Sequence, residues 1–428
     1  MSTITIIILS LVITGIIFYA YIAYTRAKQE LTQADSEPLD PSLKQTQDEL
    51  NSELRAGKTR DEDSEDEDNS KVEEEKHLKD TEDLEIDIEG LREALENDEL
   101  NPDAQDEDGD FLLKLAAIES DIRLAKLLLK YNADPNLQDS QGYPSIIYAI
   151  VNNQSEIVRL LLEAGADPNF KSTDNTIVPL CVAINQHDIT VIKTLLEYGA
   201  NPNIRFAKNN MTPLMYAVEE ENNDAAKVLL EYGADPNLKE DNGNFPLIGA
   251  EELRTTKLLL KHGATINMAN NEGLTALFAA AHKDMIDTLE LLIKNGADPN
   301  IQSKDKETAL MAAVSQNNID IAQYLLKHGA NENMQRDDGN TALLFTKNPK
   351  MVEILLQNGA DPNIQNIHGN SALTLAAMTG NIELVKLLLD YLADPNIPDS
   401  DGKNALDHAF EQGHTEIIEL IEDNKKGK

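Results

Sequence analysis

Gly165-Ala166-Asp167-Pro168-Asn169 is the pentapeptide that decides the architecture, because it or a near copy occurs nine times in 428 residues. Successive copies lie 30 to 34 residues apart, and a tenth, degenerate copy ends at Asp103. The nine copies end at Asn136, Asn169, Asn203, Asn237, Asn267, Asn300, Asn333, Asn363 and Asn396. Self-similarity at a fixed period of this length indicates a solenoid, in which each unit buries its apolar face against its neighbours.

Each period contains the signals of two short helices and a turn, as the stretch after Asn300 illustrates. Thr308 precedes an apolar run and is placed to cap a helix N-terminus with its hydroxyl oxygen. A second apolar run at helical spacing begins at Ile319, and Gly329 suits the left-handed C-cap that ends it. Asp337-Asp338-Gly339 then predicts a tight turn into the next unit.

These units resemble the ankyrin repeat. The resemblance is carried by Met211-Thr212-Pro213-Leu214-Met215-Tyr216-Ala217, by the stretch from Gly273 to Ala280, and by Ile157-Val158-Arg159-Leu160-Leu161. It covers roughly residues 81–428 and implies an all-α ankyrin-type helical repeat solenoid of about ten repeats, with an N-terminal half-repeat cap over 82–103. The family's His in the first helix is replaced in every copy, by Lys114 in the first. We therefore expect its hydrogen bonds between repeats to be missing and apolar packing to carry more of the stacking.

Residues 1–25 read as a membrane anchor. Residues 4–24 contain no charge and as a helix would be about 31 Å long, which matches a hydrocarbon core of about 30 Å. A cleaved signal peptide is the alternative, although no base precedes the span. Because Arg26 and Lys28 follow it, the positive-inside rule predicts a single-pass protein with its N-terminus outside and the solenoid cytoplasmic. If residues 1–24 act as a signal, the protein is periplasmic or secreted.

Residues 26–80 are predicted to be a disordered, acidic linker. They are poor in apolar residues, and the stretch from Asp61 to Asp68 has seven acids in eight positions. The whole chain has a formal net charge of −39, and residues 81–428 hold 28 Lys and Arg against 58 Asp and Glu. Nucleic acid is therefore excluded as an expected partner, since binding depends on bases that neutralise phosphates. A protein with a basic surface is the partner that this charge favours.

No catalytic, metal or cofactor signature stands out. Cys181 is the lone cysteine, the histidines are scattered, and no phosphate-binding loop occurs. The stretch from Asp106 to Gly109 is similar to part of a calcium loop, but Ala104 and Leu115 occupy its first and last ligand positions. We therefore expect neither catalysis nor a cofactor, and we expect the solenoid to be monomeric.

The resemblance implies that a partner binds the second turns of the first helices and the hairpin tips. At the helix positions the candidates are Asn152, Gln186, Glu219, Glu220, His282, Lys283, Met378 and Thr379. At the tips they are Tyr143, Arg205, Phe206, Lys208, Lys304 and Lys306. Arg205 and Phe206 lie in a tip that is one residue longer than most, and exposed Arg and aromatic pairs are typical binding anchors.

Two further details follow from the repeat register. Tyr148, Tyr216 and Phe345 occupy one repeat position, which in the family usually packs into the core. We therefore expect these three side chains to fill the core and not to line the groove as a row of aromatic binding residues. Two copies have only 30 residues, with losses near Gly249 and Thr346 that are expected to interrupt the groove.

The function that these features predict is a membrane-tethered protein-interaction scaffold that recruits a partner through the ankyrin groove. Two alternatives remain open at this point. One is a regulatory inhibitor that covers a partner enzyme's site. The other is an exported or periplasmic ankyrin binder.

Overall fold

The computed structural model describes residues 88–106 and 109–426, and within them the chain forms 21 α-helices. A single helix, α1 (Ile88–Glu96), comes first, and ten helix pairs follow. The first helices of the pairs are α2 (Leu112–Glu119), α4 (Ser145–Val151), α6 (Pro179–Asn185), α8 (Pro213–Glu219), α10 (Pro246–Gly249), α12 (Ala276–His282), α14 (Ala309–Ser315), α16 (Ala342–Phe345), α18 (Ala372–Thr379) and α20 (Ala405–Gln412). The second helices are α3 (Ile122–Lys130), α5 (Ser155–Glu163), α7 (Ile189–Glu197), α9 (Asn223–Glu231), α11 (Leu253–Lys261), α13 (Ile286–Lys294), α15 (Ile319–Lys327), α17 (Pro349–Gln357), α19 (Ile382–Asp390) and α21 (Thr415–Lys426).

First helices pack against first helices of the neighbouring repeats, and second helices against second helices, as in a solenoid. The all-α repeat fold is thus confirmed. Isolated β-bridges form within individual hairpin tips, and there is no strand among the described residues. The predicted membrane span at residues 4–24 and the linker at 26–80 lie outside the described residues.

Local capping explains why the helices begin and end where they do. The Thr308 hydroxyl accepts a hydrogen bond from the backbone N–H of Met311 at 3.3 Å, at the start of α14. Asp188 caps α7 through the N–H groups of Thr190 and Val191. Gly329 has a φ of +88°, the left-handed conformation predicted for it after α15. The boundaries are therefore encoded within each repeat.

The last Asn of the repeated pentapeptide joins one repeat to the next. The side-chain amide of Asn300 donates to the carbonyl of Gly329 at 2.9 Å, and its Oδ1 accepts from the N–H of Asn331 at 2.7 Å. Both bonds are also made by Asn136, Asn169, Asn203, Asn237, Asn267 and Asn333. Asn396 belongs to the last repeat, and its amide donates instead to its own Asp394 at 2.9 Å. The motif is therefore an inter-repeat connector.

Helix α1 takes the place of a second helix at the N-terminal end. Leu95 is buried, and Tyr131 donates its hydroxyl to Glu96 at 2.6 Å. The equivalent bond joins Tyr198 to Glu163 between the second helices of two later repeats. This register is the one expected for a half-repeat cap.

Candidate protein-binding groove

The groove surface consists of the second turns of the first helices together with the hairpin tips. On the helices, Glu219 is exposed, and so are His282, Lys283, Met378 and Thr379. Asn152, Gln186 and Glu220 are half-buried, and the Asn152 amide donates to the carbonyl of Tyr148 at 2.9 Å. The predicted helix positions therefore do lie at the surface, although Asn152 also closes the end of its own helix.

Two interruptions divide this surface. Helices α10 and α16 are four residues long, whereas the other first helices have seven or eight. The residues that end them, Ala250 and Thr346, have extended backbones with ψ of 99° and 143°. Each 30-residue repeat has thus lost the second turn of its first helix, which is the turn that carries the groove positions. The predicted interruption of the groove is confirmed.

Three of the basic side chains on the groove surface are already paired with acids of neighbouring repeats. Lys283 bonds Glu251 at 2.6 Å, and Lys306 bonds Asp337 at 2.8 Å. Lys304 lies 3.5 Å from Glu272. All of these side chains are exposed, so each pair contributes about 0–1 kcal/mol and exchanges readily for another partner. The positive charge that these three lysines bring to the groove surface is therefore largely neutralised by their acidic partners.

Phe206 is buried, and its prediction as an exposed anchor was wrong. Its side chain is 6% exposed and packs in an apolar cluster with Val178, Cys181, Ile204, Met211 and Met215. Its ring also meets that of Tyr216 edge-on at 5.8 Å between centroids. The extra tip residue allows the tip to fold back, so that Phe206 pairs with Met211 across the turn. The sequence does contain a signal for this burial, because an apolar residue stands on each side of the four-residue turn, at Phe206 and Met211.

Arg205, the other predicted binding anchor in this tip, forms a connection between repeats. It is half-buried and donates from Nη1 to the carbonyls of Asn210 at 2.7 Å and Lys239 at 2.6 Å. The residue two places after the motif Asn makes such a bond to the next repeat at several other positions, which are Gln105, Lys171, Lys239, Gln302, Gln335 and Gln365. This periodicity could have revealed the role of Arg205. Of the other tip candidates, Lys208 is exposed and Tyr143 is half-buried.

A buried polar cluster occupies the first inter-repeat contact. The Lys114 ammonium donates to Asp139 of the next repeat at 2.7 Å and to Asp110 at 2.5 Å, and it lies 4.7 Å from the centre of the Tyr148 ring. The Tyr148 hydroxyl donates to the same Asp139 oxygen. The expectation that the first-helix hydrogen bonds to the next repeat are missing is therefore wrong here, because Lys114 makes one from the position of the family's His.

Charge and burial act together in this cluster. Burial disfavours the charged form of Asp139, but the hydrogen bonds from Lys114 and Tyr148 outweigh it and hold the pKa of Asp139 below its usual range. Burial likewise opposes the charge of Lys114, and its bonds to Asp110 and Asp139 outweigh it and raise the pKa of Lys114. Burial first, and then the bond to Asp139, raise the pKa of Tyr148. The cluster therefore holds an ion pair at neutral pH, and it is a structural feature.

Tyr148 is buried as expected for core filling, while Tyr216 and Phe345 are half-buried. Burial also raises the pKa of the Cys181 thiol, which keeps it protonated and poorly nucleophilic. Across residues 88–106 and 109–426, no group of three metal-ligating side chains could hold an ion. In that same part of the chain, no helix has the length and apolar character needed to span a membrane.

Comparison with known families agrees with this geometry. The family described as "Ankyrin repeats (3 copies)" matches residues 87–172, 169–240, 238–303, 282–346 and 344–427. The chain is an ankyrin-repeat protein. A comparison with curated proteins gave no match. Ankyrin repeats are typically non-enzymatic modules for protein–protein interaction, so the repeats indicate that this ankyrin-repeat protein binds another protein.

Proposed function

We propose that this ankyrin-repeat protein is a non-enzymatic scaffold, tethered to a membrane by residues 4–24, that recruits a protein partner with a basic segment. The observation that carries the proposal is the charge balance of the groove surface. Lys283, Lys304 and Lys306 are paired with acids of neighbouring repeats, while Glu219 and Glu220 add further carboxylates along the first helices. A basic segment complements this surface and is drawn to a solenoid with a strong net negative charge.

Recruitment requires no chemistry from the repeats. The apolar span would hold the solenoid near the membrane, and the acidic linker would give it reach. A bound partner is then concentrated near the membrane through the linker and the groove together. The exposed ion pairs of the groove support this role, since they cost little to exchange for contacts with a partner.

The groove is tested by replacing Glu219 and Glu220 together with glutamine in the full chain. We expect the affinity for a labelled Lys- and Arg-rich peptide to fall about tenfold, since two carboxylates at adjacent groove positions are removed. Fluorescence anisotropy at low and high salt measures this, and salt should weaken the wild-type complex.

The matched control replaces Glu353 and Glu383, exposed acids on the second helices α17 and α19, with glutamine. It removes the same charge from the other side of the repeats, and we expect a change of less than about twofold. Equal losses in both variants would show that the peptide responds only to total charge. Equal affinity of the wild type for an Asp- and Glu-rich peptide would contradict the basic-partner proposal.

The tether is tested by protease protection of sealed cells that carry the full chain. We expect residues 81–428 to resist added protease until the cells are lysed, because the bases after the span favour a cytoplasmic solenoid. Digestion of the solenoid in sealed cells, or a soluble product without residues 1–24, would overturn this topology.

A further inference from the structure

A basic cleft lies on the second helices, away from the groove surface. It opens between α9 and α11 with a volume of about 230 Å³. Its lining consists of Asn223, Lys227, Arg254, Lys257, Leu258 and Lys261. Four of these six side chains are basic, although acids outnumber bases by about two to one in residues 81–428. This concentration of positive charge runs against the composition of the rest of the solenoid.

The spacing on α11 explains how three bases line one cleft. Arg254, Lys257 and Lys261 stand at positions i, i+3 and i+7, which share one face of a helix. The helix contains no acid among its nine residues. At 1.5 Å per residue, Arg254 and Lys261 are separated by about 10 Å along the helix axis. The cleft therefore presents an elongated row of positive charge.

The repeat register shows how the bases of α11 compare with those at the same positions of the other second helices. A base occupies the fifth position of the second helix in five successive repeats, at Lys126, Arg159, Lys193, Lys227 and Lys257, and Glu290 ends the series. The ninth position is acidic in the three repeats before α11, at Glu163, Glu197 and Glu231, and becomes Lys261 in α11. The two basic positions thus coincide at α11, as they also do in α3 at Lys126 and Lys130. In α3, however, the fifth-position base is paired with Glu156 of the next repeat, whereas Lys257 of α11 forms no ion pair among the described residues.

Two of the four bases form only exposed ion pairs with acids, and the other two have no acidic partner. Arg254 lies 3.2 Å from Asp224, and Lys227 lies 3.9 Å from Glu231, with all four side chains largely exposed. Lys257 and Lys261 form no ion pair with any acid in the described part of the chain.

Asn223 adds no positive charge and has little capacity for a ligand. Its amide donates to Glu252, and its Oδ1 accepts from the hydroxyl of Thr255. Recognition in the cleft therefore depends on the ammonium and guanidinium groups.

We propose that this cleft binds a soluble ligand that carries two or more closely spaced phosphate groups. Lysine ammonium groups are compact charges that bind phosphate oxygens, and several along 10 Å match successive phosphates of a linear ligand better than a single anion. A flat anionic membrane would also face the acids that surround the cleft, among them Asp224, Glu231 and Glu252. A narrow ligand enters between the helices and avoids most of that repulsion.

Tripolyphosphate is the probe that tests the site, with the full chain and isothermal titration calorimetry. We expect saturable binding by the wild type, with weaker binding of inorganic phosphate. Replacing Lys257 and Lys261 together with glutamine should weaken tripolyphosphate binding at least tenfold, because both bases that lack an acidic partner are removed. Both side chains are exposed, so the thermal unfolding of this variant should match that of the wild type.

The matched control replaces Lys327 and Lys347, exposed bases outside the cleft, with glutamine and so makes the same change in net charge. We expect it to bind tripolyphosphate as the wild type does. The proposal is overturned if the wild type does not bind tripolyphosphate, if both variants lose affinity equally, or if an Asp-rich peptide binds as tightly as tripolyphosphate. It is also overturned if the cleft variant loses binding to anionic vesicles while binding of tripolyphosphate is unchanged.

Discussion

Replacing Lys114 with methionine is expected to lower the free energy of unfolding by about 3 kcal/mol, because it leaves the Asp139 carboxylate buried without its cation. The Lys114 side chain is 9% exposed and that of Asp139 is fully buried. Methionine keeps most of the side-chain volume, so the loss reports on charge and hydrogen bonding. Urea denaturation followed by circular dichroism measures the effect, together with hydrogen exchange in helices α2 and α4.

A surface ion pair supplies the control. Lys386 and Glu416 are joined at 3.2 Å between the second helices of two repeats, and both side chains are half-exposed or more. Replacing Lys386 with methionine should cost less than about 1 kcal/mol. If the two substitutions have the same effect, burial of the Lys114 cluster does not matter to stability. A second substitution, Asp139 to Asn, should recover part of the loss in the Lys114 variant by removing the uncompensated charge.

The contribution of the cluster depends on pH in a defined direction. The pKa of Asp139 is lower in the folded protein than in the unfolded chain, where it is near 3.8. The Asp139 carboxylate therefore adds to the free energy of unfolding above pH 3.8, and this stabilisation is lost as the pH falls through the folded pKa. The pKa of Lys114 is raised, so its contribution is complete below about 10.5 and is lost as pH rises through the folded value. The stability difference between wild type and the Lys114 variant should therefore be largest between these limits.

Replacing Gly339 with alanine is expected to lower the free energy of unfolding by about 3 kcal/mol, the second large effect. Gly339 has a φ of +76°, which disfavours any side chain. A Cβ at this position would lie 2.7 Å from the backbone nitrogen of Ile367 and 2.9 Å from the Cα of Asn366, both in the next tip. The backbone of that tip would have to move, and its hydrogen bond from the Ile367 N–H to the carbonyl of Asp338 would be disturbed. Urea denaturation measures the loss, and hydrogen exchange locates it.

Gly402 isolates the contribution of the neighbouring tip. It occupies the equivalent position in the last repeat with a φ of +79°, and a Cβ there would meet no atom within 4 Å. Replacing Gly402 with alanine should therefore lower the free energy of unfolding by only about 1 kcal/mol, which is the strain of placing a side chain at this positive φ. Equal losses for Gly339 and Gly402 would mean that contact between tips contributes nothing to the requirement for glycine. Protection of the Ile367 amide should fall only in the Gly339 variant.

The two proposed surfaces differ in the charge that they offer. The groove surface presents carboxylates and paired lysines, whereas the cleft between α9 and α11 presents four bases. Because they lie on opposite helices of each repeat, a basic protein segment and a phosphate ligand would not compete for the same residues. The corresponding variants therefore test the two proposals separately, since Glu219 and Glu220 lie outside the cleft.

The sequence by itself determined the number of repeats, the helix pairs, their caps and the two shortened helices. These features depend on residues a few positions apart, such as Thr308 and Met311, or on a motif that recurs at a fixed period. Even the loss of one turn from α10 and α16 could be read from the 30-residue spacing. Local hydrogen bonds and apolar periodicity act over one or two helical turns, and the features that depend on them can therefore be predicted from the sequence.

Only the tertiary structure decided which polar side chains are available to a partner. Arg205 and Phe206 have the chemistry of binding anchors, but Phe206 packs into the core and Arg205 donates to Lys239, 34 residues away. Lys114 likewise finds Asp139 in the next repeat, and the cleft combines residues of two helices. Whether a side chain is buried, paired or open depends on neighbours brought close by stacking, and a single repeat does not specify those neighbours.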